Sequence, residues 1–99
     1  MRREIIWSPL AEQDLGNILE YLAEKWNQKV IIHFLHKIDI TINQIAKVPN
    51  QYPIINRKLQ VRKCVVTKQN TLFYREIEKR IEILRLFDTR QDPEKLTFH

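Results

Sequence analysis

The sequence predicts an α+β fold: a small antiparallel sheet packed against an N-terminal α-helical hairpin, in the order β-α-α-β-β-β. Three observations predict it. Two long N-terminal segments repeat their apolar residues at helical spacing. Three later segments are short, rich in β-branched and aromatic residues, and joined by links short enough for hairpins. The chain has 99 residues, enough for one compact domain spanning 1–99 and not for two.

Arg3–Trp7 (REIIW) reads as a first strand because Ile and Trp favour pleated surfaces. The first helix begins at Ser8, an N-cap candidate. Pro9 suits the first helical position, and Glu12 and Asp14 complement the positive end of the dipole. Ala11, Leu15, Ile18, Leu22 and Trp26 form one apolar stripe. Gly16 weakens this helix slightly and would allow close approach of another helix. A second helix runs from about Gln28 to Val48. Its stripe is Ile31, Phe34 or Leu35, Ile38, Ile42 and Ile45, with Lys29, His36, Lys37, Asn43 and Lys47 opposite. It stops before Pro49, since a residue preceding proline is pushed out of the helical region.

Pro49–Lys58 reads as a linking loop, with two prolines and two asparagines. Strands are predicted over about Leu59–Thr67, Thr71–Ile77 and Arg80–Phe87. In the last of these, Ile81, Ile83 and Phe87 share one parity and Leu84 and Leu86 the other. Either the strand is apolar on both faces or a bulge shifts its register.

Composition excludes several classes. One cysteine, Cys64, rules out an internal disulfide and a cysteine-based zinc site, and reads as a small buried hydrophobe. No segment approaches the roughly 18 apolar residues of a membrane span. Nothing at the N-terminus resembles a signal peptide, so the expected compartment is the cytoplasm. A single glycine leaves no Gly-rich phosphate loop. His33 and His36 lie three apart without a second ligand pair, so no metal site is expected, and His99 ends the sequence.

The net charge of +5 is unevenly spread. Residues 1–56 carry six Lys/Arg and six Asp/Glu, whereas residues 57–90 carry ten against four. Such a field draws polyanions or an acidic protein, unless it is simply a solvated basic face. The candidate binding residues are Arg62, Lys63, Arg75, Arg85 and Arg90. Alternation is expected to put several of them on the sheet face opposite the helices, as a concave patch that binds phosphate and stabilises negative charge. An RNA's own 2′-hydroxyl would then serve as nucleophile. The alternative is that Arg75 and Arg85 pair with Glu76, Glu82 or Asp88.

Over nearly its whole length the chain resembles the toxins of the RelE/ParE superfamily. The resemblance rests on Ala11, Asp14, Leu15, Ile18 and Tyr21 of the first helix, on the segment INQIAKVPNQYP, and on Val61–Pro93 with its LFYR strand and polar Arg-containing turn. It implies the same helical hairpin on a sheet and no cofactor or metal. It also implies one of two activities. One branch cleaves mRNA in the ribosomal A site, and the other poisons DNA gyrase. Arg62 matches a basic residue of the ribonuclease strand, and Arg90 falls near a second, with Lys63 and Arg75 as further phosphate ligands. However, Thr71 stands where many ribonuclease members have arginine, and Thr97, Phe98 and His99 occupy the region of their C-terminal tyrosine. The first-helix signature points the same way, so the gyrase branch is favoured, with a non-toxic basic module as a third reading. Both toxin branches imply a cognate antitoxin that wraps the toxin as an amphipathic helix or added strand, acidic residues answering the basic sheet. Leu96 and Phe98 are the expected antitoxin anchors.

Overall fold

A computed structural model describes residues 3–98. The elements are β1 (Glu4–Trp7), α1 (Pro9–Lys25), α2 (Gln28–Lys47), β2 (Ile54–Asn56), β3 (Val61–Val65), β4 (Asn70–Ile77) and β5 (Arg80–Asp88), with short 3-10 turns at Pro49–Gln51 and Pro93–Lys95. The α+β class and the helical hairpin stand as predicted. Two details differ. The five-stranded sheet has the order β1-β5-β4-β3-β2, and β1 joins it parallel to β5, so the sheet is mixed. The loop assigned to Pro49–Lys58 holds β2, three residues that pair with β3 across an irregular register. So short a strand beside Pro53 carries no readable alternation.

Ser8 caps α1 by accepting from the Ala11 amide at 3.1 Å, and its hydroxyl donates to the Leu84 carbonyl at 2.9 Å. One side chain thus starts the helix and ties it to β5. Asn27 caps α2 in the same way through the Val30 amide. The apolar stripes of both helices meet Leu72, Tyr74, Ile81, Ile83 and Leu86 in the main core. Phe34, not Leu35, takes the inward position on α2, and Leu35 is exposed. Trp26 leaves the predicted stripe: it is the C-cap of α1 with extended backbone, and it is 60% exposed. Gly16 makes no close approach, for a Cβ there would meet nothing within 4 Å.

Both explanations offered for the last strand hold. β5 is buried on both faces, and its register with β4 shifts so that Tyr74 faces Ile83 while Phe73 faces Arg85. Leu84 is the additional residue. The shift keeps Ile81, Ile83 and Leu86 on the helix side and puts Leu84 and Phe87 in a second cluster with Val61 and Phe73. The second cluster lies on the opposite face, where Leu59, Leu96 and Phe98 pack on it.

Candidate functional site

Beside the sheet, the two helices and the far ends of β4 and β5 enclose a cleft of about 490 Å³. Ile18 and Leu22 of α1 and Val30 and Phe34 of α2 supply apolar walls, and Leu86 supplies part of the floor. The polar end is made by Thr67, Asn70, Asp88 and Arg90, with His33 and Lys37 also on the lining. Thr67 Oγ1 donates to Asn70 Oδ1 at 2.8 Å, which fixes the turn that forms this end. Arg90 donates through Nε and Nη2 to the two oxygens of Asp88, at 3.0 and 2.8 Å, and its guanidinium lies 5.2 Å from the centroid of the Tyr21 ring. The hydrogen bond from Arg90 holds the Asp88 carboxyl below its ordinary value against the opposing effect of burial.

Asp14, also on this cleft, is fully engaged. Its oxygens accept from Arg85 Nε and Nη2 at 2.7 and 3.0 Å and from the Leu86 amide at 3.0 Å. The acids of the cleft therefore each have their own arginine. Among the described residues, Lys37 forms no ion pair, so the cleft is left with a positive balance.

Lys63, Arg75 and Arg85 share the sheet face of Phe73, opposite the helices, as alternation led one to expect, but two of the three are engaged by carboxylates, and Arg62 and Arg90 lie elsewhere. Arg85 is 7% exposed and tied to Asp14, so it is a structural residue and not a free ligand for a target. Its burial follows from the bulge and from the end of β1, which leaves room for Asp14 to reach the β5 edge. Arg75 pairs with Glu82 at 2.8 Å, as the alternative reading had it. Arg90 pairs with Asp88 beside α1. Arg62 lies opposite Tyr74 on the helix side and donates to the Asn50 and Tyr52 carbonyls at 3.3 and 2.6 Å. Lys63 lies opposite Phe73, facing the other way. Leu96 and Phe98 pack on their own sheet, so they are not free anchors. His99 lies outside the described residues.

A family model described as "ParE toxin of type II toxin-antitoxin system, parDE" matches residues 5–93. The chain belongs to the ParE toxin family. No curated protein matches its sequence. Among solved structures, a chromosomal ParDE toxin–antitoxin system from P. aeruginosa is similar over 88% of this chain and 96% of that one, at 19% identity and a TM-score of 0.74. A YoeB/ParE toxin from Agrobacterium tumefaciens is similar over 86% and 96%, at 13% identity and a TM-score of 0.61. At these identities the likeness shows the shared fold.

Within this ParE-family chain, the motif residues of α1 acquire physical roles. Asp14 holds Arg85, Tyr21 meets Arg90, and Leu15 and Ile18 pack on the core. The sequence offered no signal for His33, Lys37, Thr67 and Asn70 as neighbours, because the cleft joins helix faces to a turn far along the chain. Among the described residues, no three His, Cys, Asp or Glu side chains are grouped to hold a metal ion, and no helix is long and apolar enough to cross a membrane.

Proposed function

We propose that the chain is a toxin that binds and poisons DNA gyrase in the cytoplasm, and that a cognate antitoxin silences it. One observation carries the choice of target. The arginines that RNA phosphate chemistry would need are spent on carboxylates of the same chain: Arg75 on Glu82, Arg85 on Asp14, Arg90 on Asp88. Arg62 and Lys63 have no carboxylate partner among the described residues, yet they face opposite sides of the sheet. Two diverging cations do not surround one scissile phosphate. Binding to a protein target needs no such convergence.

The antitoxin reading draws on membership of the ParE toxin family and on the relative whose structure is a ParDE system. The cleft suits such a partner, with apolar walls for one face of an amphipathic segment and a positive balance for its acidic residues. A supercoiling assay with purified gyrase tests the target: the free chain is expected to inhibit, and prior mixing with the antitoxin to restore activity. Gyrase unaffected at a large excess of folded chain, together with A-site cuts in primer extension on translating mRNA, would transfer the assignment to the ribonuclease branch.

A further inference from the structure

Residues 40–75 contain seven Lys/Arg and no Asp or Glu. Three of the seven have other roles: Lys47 ends α2, Arg62 donates to the Asn50 and Tyr52 carbonyls, and Arg75 pairs with Glu82. The other four, Arg57, Lys58, Lys63 and Lys68, are exposed, and among the described residues none of them forms an ion pair. All four lie along the β2–β3 edge of the sheet. Arg57 and Lys58 sit in the turn before β3, Lys63 in the middle of β3 on the side away from the helices, and Lys68 in the turn after it.

Both turns are pinned by their own side chains. In the first, Asn56 Oδ1 accepts from the Leu59 amide at 2.9 Å, and Gln60 Nε2 donates to the Arg57 carbonyl at 2.7 Å. In the second, Thr67 Oγ1 accepts from the Gln69 and Asn70 amides at 3.2 and 3.1 Å. The cations therefore form a row whose backbone spacing is set before any ligand arrives. β3 alone covers about 13 Å from Val61 to Val65, at roughly 3.3 Å per residue, and a turn stands beyond each end. The same length of duplex DNA presents about four base pairs of phosphates.

We propose that the β2–β3 edge binds the phosphate backbone of duplex DNA through Arg57, Lys58, Lys63 and Lys68. With no carboxylate in the surrounding sequence, the field of the row is not cancelled locally, and it favours a polyanion. Three of the four are lysines, point charges that suit phosphate and that protein interfaces tend to exclude. The exposed Ile55 and Val65 are separated along this edge by Lys63, so among the described residues it has no apolar centre for a protein partner. A row of fixed spacing matches a stiff duplex better than a flexible single strand. Contacts to backbone position the protein without reading sequence. They also need no convergence on one phosphate, so they require no cleavage chemistry. That the duplex is the one gyrase holds rests on the gyrase reading, whereas the phosphate contact does not.

The test titrates a fluorescent DNA duplex of about 20 base pairs with the full chain and reads anisotropy from about 50 to about 200 mM salt. Four phosphate contacts predict a slope of log affinity against log salt of about −3.6, a loss on the order of a hundredfold across that range. This slope is measured on the unmodified chain, so it does not depend on the folding of any variant. The variant carrying Arg57→Gln, Lys58→Gln, Lys63→Gln and Lys68→Gln should keep its urea midpoint, because the four side chains are exposed. It should lose most of the slope and about tenfold or more in affinity at low salt. A control with the same loss of charge, Lys25→Gln, Lys29→Gln, Lys47→Gln and Lys79→Gln, should bind nearly as the unmodified chain does. Equal weakening by both variants would reduce the effect to net charge and overturn the proposal. A slope near zero, or tighter binding of single-stranded RNA of the same length, would overturn it as well. In the supercoiling assay the row variant should inhibit less than the control variant. Weaker inhibition by the row variant, with no duplex binding by the unmodified chain, would assign the row to an acidic protein surface instead. Duplex binding by a chain that leaves gyrase untouched would defeat the gyrase reading and leave the phosphate row standing.

Discussion

Asp14 on α1 and Arg85 on β5 meet 71 residues apart in sequence, through two hydrogen bonds of 2.7 and 3.0 Å. The pair stands where β1 stops covering the β5 edge, and Asp14 also takes the Leu86 amide that β1 leaves unpaired. Their side chains are 9% and 15% exposed for Arg85 and Asp14 respectively, so this is a nearly buried ion pair. Removing one member strands the other's charge. Asp14→Ala is expected to cost about 3–5 kcal/mol in urea unfolding. The Arg85→Ala change should add little to it, giving a strongly coupled double-mutant cycle. A loss below about 1 kcal/mol for Asp14→Ala would show the pair to be solvent-screened like a surface one.

Gly16 sits in α1 with open space where its Cβ would be. Its backbone is helical, so glycine contributes only its excess freedom in the unfolded chain. Gly16→Ala should raise stability by about 0.5–1 kcal/mol. Chemical denaturation checks it, and a destabilised variant would mean that something packs over this position in solution.

The opposite situation holds at the β4–β5 turn. Glu78 and Lys79 have φ of 51° and 65°, the left-handed conformation of a tight two-residue hairpin turn, and neither is glycine. A Cβ in that region is strained against the following carbonyl. Lys79→Gly is expected to stabilise by about 0.5–1 kcal/mol, after the greater freedom of glycine in the unfolded chain is set against the relief. A neutral or negative change would place the strain elsewhere. The only glycine in the chain thus stands where the backbone has no use for it.

Cys64 is 5% exposed, and burial pushes its thiol up from the ordinary value. Thiolate reagents should therefore react with the native chain only through opening. The labelling rate is expected to rise many-fold across the urea transition, in step with loss of helical signal. Fast labelling of the folded chain would contradict this burial.

What the sequence disclosed was what local periodicity controls. The cap at Ser8, the two helices and the three longer strands follow from spacing and from residues within four positions of each other, whereas the Asn27 cap was found only in the structure. Even the parity break at Leu84 was visible as a break, because alternation failed there. What stayed hidden depends on distance. Arg85 looked like a surface cation among apolar neighbours, and only the fold brings Asp14 beside it. Phe98 looked like a free anchor, yet Phe73 on the open face was waiting for it. Charge segregation along the chain was real, but it left few free cations on the sheet: Asp14 comes from α1 to meet Arg85, while Arg75 and Arg90 are met by Glu82 and Asp88 from the same basic half of the chain.

The pH dependence of stability has two limbs with separate origins. Asp88 is held below its ordinary value of 3.8, first by the side-chain hydrogen bond from Arg90. The unfolded chain then binds its proton at a higher pH than the folded chain, so folding is favoured as pH rises through that interval. This contribution is fully present above 3.8 and is lost as pH falls through the lower folded value. Tyr74 acts in the opposite sense. Its hydroxyl donates to the Pro49 carbonyl inside the core, and burial raises it well above its ordinary 10.0. Its contribution is fully present below 10.0 and is lost as pH rises through the higher folded value. Urea midpoints measured across each interval should therefore fall on both sides. Asp88→Asn should flatten the acid limb and leave the alkaline one alone, and Tyr74→Phe should do the reverse while lowering stability by about 1–3 kcal/mol throughout, because the Pro49 carbonyl is left without its donor. An acid limb unchanged by Asp88→Asn would mean that the Arg90 contact does not persist in solution, and the polar end of the cleft would then lack the geometry assigned to it.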